Sequence, residues 1–172
     1  MIIFGKPEIW SLITGFLIVI AGELFRFGGV SRAGSETRTT DRTGGTYLVV
    51  SGAFAFLRNP LYLGNILIYF GFGVASLALS PYLQIFAMLY FFFQYYFIVQ
   101  AEEAYLKVRF GRDYENYCKS VPAFIPRLTP YKNPGIEQPG YNPAAGLRSE
   151  KRTLQAIILV AIILIVKYFY PF

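Results

Sequence analysis

Four long apolar stretches limit what this chain can fold into. They run roughly from Ile9 to Phe25, Tyr62 to Leu79, Tyr82 to Gln100 and Leu154 to Phe172. Each approaches the length of about 20 residues that a helix needs to cross a bilayer. The first stretch lacks a convincing signal-peptide cleavage site, so we expect it to be retained. The sequence therefore predicts an all-α, polytopic membrane protein with about four transmembrane helices, forming a single membrane domain over residues 1–172.

The residue types present restrict the chemistry. Charged residues make up only 15% of the chain, whereas soluble domains carry about 25%. The chain has no histidine and a single cysteine, Cys118. Histidine-ligated metal sites, Ser/His or Cys/His catalysis and an internal disulfide are therefore excluded. Carboxylates, arginines, tyrosines, backbone groups or a bound cofactor must supply any activity.

The charges indicate an orientation in the membrane. All Lys and Arg residues except Lys6 and Lys167 lie in two polar connections, Arg26 to Arg58 and Glu102 to Arg152. Positive charge favours the cytoplasmic side, so we expect both connections inside and both termini outside. The net charge of +6 is then explained by a membrane surface rather than by nucleic acid.

The connections differ in length and character. Ser80-Pro81 leaves almost no loop and predicts a tight antiparallel hairpin of the second and third spans. Residues 100–118 predict a cytoplasmic amphipathic helical segment, interrupted at Gly111, with Leu106, Phe110, Tyr114 and Tyr117 on one face. The segment Val121 to Pro126, here called the strap, contains two prolines and must be extended. Residues 133–146 are rich in proline and glycine and predict a linker.

A candidate site lies at the start of the second span. Pro60 suits the first turn of a helix, which places Arg58 at the helix mouth. The N–H groups of that first turn, together with Arg58, would form an anion site. Arginine and asparagine also flank membrane helices simply as anchors, and that interpretation remains open for Arg58 and Asn59. Gly71 and Gly73, within the same span, permit close packing of a neighbour or the approach of a flat ligand.

Two adjacent glutamates leave the third span. Glu103 precedes Lys107 by four residues, which favours a surface ion pair. Glu102 precedes Leu106 and is expected to face the interior, where a bare carboxylate needs a positive partner. Arg58 or a cationic ligand would fill that role. Glu23, three residues before Arg26, predicts either a local ion pair or a contact with substrate.

These pieces together resemble the membrane methyltransferase superfamily that holds phospholipid methyltransferases and isoprenylcysteine carboxyl methyltransferases. The similar segments are Arg58-Asn-Pro-Leu-Tyr-Leu-Gly64, Gly71-Phe-Gly73, Glu102-Glu103 with the run that follows it to Tyr117, and Val121 to Leu128. The resemblance covers residues 44–128, followed by an expected linker at 129–153 and a C-terminal transmembrane helix at 154–172. The family often has histidine where this chain has Asn59. Asparagine can hydrogen-bond but cannot titrate, so no base is expected there.

The resemblance implies a pocket for S-adenosylmethionine on the cytoplasmic side, with the strap as its lid. Arg58 would hold the cofactor carboxylate, and Glu102 or Glu103 its ammonium or ribose. Tyr62 and Tyr105 would hydrogen-bond or face the sulfonium. The implied catalytic residues are Arg58 and Glu102. The implied cofactor-binding residues are Arg58, Asn59, Pro60, Tyr62, Gly64, Gly71, Gly73, Glu102, Glu103 and Tyr105.

Three functions remain open at this point. The first is transfer of a methyl group to a lipid-like acceptor that enters from the bilayer, either an ethanolamine phospholipid headgroup or an isoprenylcysteine carboxylate. The second is a nicotinamide-dependent reductase of an isoprenoid or sterol-like lipid, which would predict more basic residues near Arg58. The third is a non-enzymatic membrane partner protein. None of them requires a metal or a nucleic acid.

Overall fold

The computed structural model describes residues 4–34 and 47–170. They form four α-helices: α1 (Ile9–Ala33), α2 (Pro60–Ser76), α3 (Tyr82–Ser120) and α4 (Pro143–Phe169). A short 3-10 helix, Gly52–Ala55, precedes α2, and the described part of the chain contains no strand. The predicted all-α fold is confirmed. The beginning of the expected core at residues 44–46 lies outside the described residues.

Three of the described helices, α1, α3 and α4, are long and apolar enough to cross a membrane. The predicted integral membrane protein is therefore confirmed. The second predicted span is shorter than expected, because α2 has 17 residues and stops at Ser76. Leu77 and Leu79 both have φ of 48°, a left-handed conformation that ends a helix. Residues 77–81 form the turn into α3.

The third helix continues far beyond its apolar part. It contains 39 residues, or about 58 Å at 1.5 Å per residue. Its first half is apolar, and its second half is the predicted amphipathic segment. The expected interruption lies at Gly111, where φ is 50° and ψ is −123°. Glycine tolerates this conformation without a steric penalty.

The fourth helix begins earlier than expected, at Pro143 rather than Leu154. Asn142 caps it, since its Oδ1 accepts a hydrogen bond from the Ala145 N–H at 2.9 Å. A proline in the first turn and an asparagine just before it are typical of a helix start. The expected linker 129–153 is therefore irregular only as far as Asn142.

The described chain divides into two compact units. The first comprises residues 1–24, 64–94 and 151–172, of which 1–3 and 171–172 are outside the described ranges. Its core contains Leu12, Val19, Ile68, Phe72, Ala75 and Leu164. The helices α1 and α2 approach closely here, because a Cβ on Gly15 would lie 2.5 Å from the Ala75 nitrogen.

The second unit comprises residues 25–63 and 95–150, of which 35–46 are outside the described ranges. Its core contains Leu48, Val50, Tyr114, Tyr117 and Val121. Residues expected in the linker pack onto this core: the Gln138 side chain accepts a hydrogen bond from the Val50 N–H at 2.9 Å and donates one to the Leu48 carbonyl at 2.8 Å. Arg26, for which Glu23 was the expected local partner, forms a 2.6 Å ion pair with Glu150 of α4.

Candidate active site

The start of α2 is attached to the strap through the backbone. The Arg58 N–H donates to the Pro122 carbonyl at 2.9 Å, and the Asn59 N–H donates to the Ala123 carbonyl at 3.2 Å. The Asn59 side-chain amide donates to the same Ala123 oxygen at 3.1 Å. Since the prolines prevent a regular helix in the strap, these carbonyls are available to α2. The strap is therefore positioned directly beside the residues predicted to bind a ligand.

The Arg58 guanidinium contacts α3 at two places. Its Nη2 lies 3.0 Å from Glu103 Oε1, and its Nη1 donates to the Cys118 carbonyl at 3.2 Å. Both side chains of the ion pair are largely buried, with 16% of Arg58 and 15% of Glu103 exposed. Within the described residues, Arg58 Nε donates no hydrogen bond and Glu103 Oε1 accepts none of good geometry. The pair therefore retains hydrogen-bonding capacity for a ligand.

The neighbouring glutamate has a different partner. The Tyr62 hydroxyl donates to Glu102 Oε1 at 2.5 Å, and the Tyr62 ring stacks on the Tyr95 ring with centroids 4.7 Å apart. The Glu102 side chain is exposed. Two carboxylates, a guanidinium and a phenol therefore meet where α2 begins and α3 leaves its apolar half. This set of groups suits a ligand that carries both positive and negative charge.

The expected orientations of the two glutamates are wrong. Glu103, rather than Glu102, faces the protein, and it pairs with Arg58 rather than only with Lys107. The reason lies in the helix phase: the half-buried and buried residues of this face are Val99, Glu103, Leu106, Phe110, Tyr114 and Tyr117. These positions recur every three or four residues, which defines one helix face. Glu102 lies one residue off that face, toward Tyr62.

Two further tyrosines of α3, Tyr105 and Tyr117, have other partners. Tyr105 accepts a hydrogen bond from Arg109 Nη1 at 2.8 Å on the exposed side of α3, so it is not brought to Arg58. Tyr117 lies beyond Gly111, outside the apolar part of α3, and donates to the Phe54 carbonyl at 2.7 Å. Burial raises the pKa of the Tyr117 phenol. Tyr117 therefore stays protonated and anchors the segment that leads into α2.

The three glycines proposed for cofactor binding lie in the first unit, and each has a protein neighbour. A Cβ on Gly71 would lie 2.7 Å from the Gly15 carbonyl oxygen, and one on Gly73 would lie 3.3 Å from Gln84 Cγ. Gly64 packs against Gly22 of α1: a Cβ on Gly22 would lie 2.7 Å from the Gly64 carbonyl oxygen. Helix packing explains these glycines without a ligand.

Sequence analysis missed several contributors to the site. Tyr95 stacks on Tyr62, but it belongs to a run of aromatic residues in which no single position is distinguished. The Cys118, Pro122 and Ala123 groups act through backbone carbonyls, for which side-chain identity gives no signal. Among the described residues, no group of three or more His, Cys, Asp or Glu side chains is arranged to hold a metal ion.

Comparison with known proteins defines the class. The model of the ergosterol biosynthesis ERG4/ERG24 family matches residues 30–131, more than half of the chain, so the chain belongs to this family. The predicted resemblance to the membrane methyltransferase superfamily is also confirmed by curated relatives. Human protein-S-isoprenylcysteine O-methyltransferase is 29% identical over 124 residues, which cover 70% of this chain and 43% of the human protein.

Two further relatives extend the comparison. The protein-S-isoprenylcysteine O-methyltransferase of Xenopus laevis is 28% identical over 70% of this chain and 42% of its own length. The cobalt-zinc-cadmium resistance protein CzcN of Cupriavidus metallidurans is 34% identical over 49% of this chain and 38% of its own length. The chain thus spans less than half the length of these curated relatives. No solved structure matches the chain.

Proposed function

We propose that this protein is an integral membrane methyltransferase that uses S-adenosylmethionine and acts on a lipid-like acceptor. The observation that carries the proposal is the cluster of Arg58, Tyr62, Glu102 and Glu103, where α2 begins and the apolar half of α3 ends. Relatives named as isoprenylcysteine methyltransferases share the region that contains this cluster. The activity of the whole protein and its cytoplasmic active site are both part of the proposal.

The donor set of the cluster fits this cofactor. The buried Arg58 Nε, which has no acceptor among the described residues, would donate to the cofactor carboxylate. Glu102 is exposed, and within the described residues its side chain is hydrogen-bonded to Tyr62; it would accept a hydrogen bond from the ammonium or the ribose. The cofactor supplies the reactive methyl sulfonium. The protein then orients the acceptor and excludes water.

A prenylated cysteine carboxylate is the acceptor that the site favours. A carboxylate is already ionised near neutral pH and needs no base, whereas an ethanolamine ammonium must first lose a proton. The chain has no histidine, and Asn59 cannot titrate. Glu102 is the remaining group with a position suited to accept a proton from an amine. The names of the relatives agree with the carboxylate acceptor.

A direct assay tests the proposal. The purified protein is incubated with methyl-labelled S-adenosylmethionine and either a farnesylated cysteine analogue or ethanolamine phospholipid vesicles. We expect label in the prenylcysteine ester, and we expect the Arg58→Ala variant to lose most of it. The Arg109→Ala variant is the control, since Arg109 contacts exposed Tyr105. If neither acceptor gives a labelled product at a saturating concentration of cofactor, the proposed methyl transfer is contradicted.

The acceptor is expected to enter from the bilayer, because a lipid tail then never crosses water. A farnesylated cysteine analogue with a photoreactive group at the end of its tail should label apolar residues of α2 or of a neighbouring helix. Labelling confined to the polar second half of α3 would argue for entry from water instead.

Reduction of a sterol-like lipid is the second candidate, because the matching family is described by ergosterol biosynthesis. A nicotinamide dinucleotide carries phosphates that require several cations. Here Arg58 is already paired with Glu103, and Glu102 adds a second negative charge beside it. The geometry therefore favours methyl transfer. The absorbance of a reduced nicotinamide dinucleotide measures its oxidation. Oxidation that depends on an added sterol-like lipid would favour the reductase over the methyltransferase.

A further inference from the structure

A separate cavity of about 560 Å³ lies within the first unit. It is bounded by Trp10 of α1, by the end of α2 and by the first part of α3, which contributes Gln84, Met88 and Phe92. Its volume is within the range of sites for small organic ligands. Neither Arg58 nor Glu102 lines this cavity, and both belong to the second unit, so the cavity is not part of the proposed active site.

The walls of the cavity are apolar except at one end. Ile85, Leu89 and Phe92 line it and are also exposed on the surface of α3, so the cavity opens toward the lipid. Gln84 and Ser80 provide polar groups near the turn between α2 and α3. Because this turn ends a membrane hairpin, the polar end belongs at the bilayer surface and the apolar end in the hydrocarbon.

Gln84 has an unused acceptor at this polar end. Its side chain is only 8% exposed, and its Nε2 donates to the Gly73 carbonyl at 2.9 Å. A carbonyl can only accept, so this contact fixes which end of the amide is the oxygen. Within the described residues, Gln84 Oε1 accepts no hydrogen bond. A buried acceptor without a donor is unfavourable, and a ligand hydroxyl would supply that donor.

The dimensions agree with such a ligand. Gln84 and Phe92 are eight residues apart on α3, a distance of about 12 Å along the helix. This length accommodates the apolar body of a membrane lipid whose hydroxyl lies near the surface. An acyl chain alone would fill the apolar volume but would leave Gln84 Oε1 without a donor.

We propose that this cavity binds a lipid alcohol from the bilayer, an apolar molecule with one hydroxyl that donates to Gln84. The apolar body would lie along α3 toward Phe92. The assignment is independent of methyl transfer, because neither Arg58 nor the glutamates contribute to it. Its test therefore needs no cofactor and no activity measurement.

The test uses a photoreactive, alkyne-tagged long-chain alcohol and its methyl ether, each presented to the full chain in phosphatidylcholine vesicles. The ether keeps the apolar body and loses only the donor. We expect the alcohol to label residues of the cavity about fivefold more than the ether, as the loss of one hydrogen bond implies. Equal labelling by the two probes would overturn the proposal, because an ordinary lipid chain would then account for the cavity.

Two variants and a control locate the effect. Gln84→Leu should label equally with alcohol and ether, and Met88→Trp should fill the cavity and lose labelling by both. Phe93→Leu, on the exposed face of α3 and outside the cavity lining, should behave as the wild type. Thermal unfolding in detergent verifies that each variant is folded. Wild-type labelling of a folded Met88→Trp protein, or a cross-linked dimer that covers the cavity, would contradict the assignment.

Discussion

The Arg58 side chain contributes both to the packing of the protein and to the proposed binding site. Its ion pair with Glu103 is largely shielded from water, where charges interact more strongly than at the surface. Its second contact, with the Cys118 carbonyl, reaches the far part of α3, beyond Gly111. A ligand carboxylate at the remaining Nε–H would therefore bind to a guanidinium whose position is already fixed.

We predict that Arg58→Ala weakens the affinity for S-adenosylhomocysteine ten- to hundredfold. The reason is the loss of a charge-assisted hydrogen bond, worth about 1.5–3 kcal/mol. Glu102→Gln should have a similar effect, because the amide no longer attracts the cofactor ammonium. Calorimetric titration of the purified variants measures both. Wild-type affinity in both variants would exclude the proposed pocket.

The ion pair predicts a different result for Glu103. Glu103→Gln leaves Arg58 largely buried without its carboxylate, so we expect a lower thermal unfolding temperature as well as weaker binding. Compared with Arg58→Ala, Arg58→Lys keeps the positive charge and should recover more of the thermal stability than of the cofactor affinity. The reason is that lysine lacks the planar arrangement of donors that binds a carboxylate. If Glu103→Gln is as stable as the wild type, the ion pair is not structural.

At the residue level, the structure brings together side chains that sequence analysis singled out, but it pairs them differently. Arg58, Glu102 and Glu103 were all predicted, and the structure brings them together. Which glutamate faces inward depends on the helix phase at Val99 and Leu106, one residue away from the phase assumed. The i to i+4 rule gave Glu103 a surface partner in Lys107, because it cannot take account of an arginine that lies 45 positions earlier in the chain.

Among the elements, the strap is held by backbone hydrogen bonds rather than by its own side chains. Ile125 is 79% exposed, whereas the Pro122 and Ala123 carbonyls are bound to Arg58 and Asn59. The Arg127 N–H donates to the Phe56 carbonyl at 3.0 Å. These hydrogen bonds hold the strap beside the start of α2 and leave the Ile125 side chain exposed.

We predict that Asn59→Ala loosens the strap. It removes the side-chain hydrogen bond to Ala123 and should reduce stability by about 1 kcal/mol. Hydrogen exchange of residues 121–127 should become faster, because the remaining backbone bonds open more often. Asn133→Ala is the control, since Asn133 hydrogen-bonds only within its own exposed turn among the contacts described. If hydrogen exchange is unchanged in Asn59→Ala, the backbone hydrogen bonds alone are sufficient to hold the strap.

The contact of α1 with α2 gives an element-level prediction. Gly71→Ala places a methyl group within 2.9 Å of the Val19 nitrogen, so we expect it to destabilise the protein by about 1–3 kcal/mol. Gly73→Ala meets only the flexible Gln84 side chain at 3.3 Å and should cost less. Thermal unfolding compares the two. Cofactor affinity should be unchanged in folded Gly71→Ala, and a specific loss of affinity would instead place Gly71 at the cofactor.

The ends of the helices show where sequence reasoning reaches its limit. The tight connection at Ser80-Pro81 and the interruption at Gly111 were predicted, because proline and glycine act locally. The early end of α2 was not, since Leu77 and Leu79 are apolar and nothing in their type indicates a positive φ. The early start of α4 had a signal in Asn142-Pro143, but the surrounding prolines and glycines favoured a linker.

On the scale of the whole molecule, charge is distributed more unevenly than in a soluble protein. The apolar parts of α1, α2 and α3 carry almost no charge, whereas the polar connections hold nearly all Lys and Arg residues. Such an asymmetry orients a chain through the attraction of basic loops to the cytoplasmic side. It therefore predicts that the Arg58 cluster also lies on the cytoplasmic side, because Arg58 and Glu102 belong to the two connections.

We predict that both polar connections are cytoplasmic and both termini external. In a Cys118→Ser background, single cysteines are introduced at Gly140 and at Thr40, the latter outside the described residues. Gly140 is exposed and a Cβ there meets nothing within 4 Å, so the substitution should not disturb the fold. A membrane-impermeant maleimide should leave both sites unlabelled in intact cells and label them after permeabilisation.

Lys6→Cys, near the N-terminus that is expected to be external, should react in intact cells and serves as the control. Labelling of position 40 or 140 from outside, with Lys6→Cys protected, would reverse the orientation and move the proposed active site to the external face.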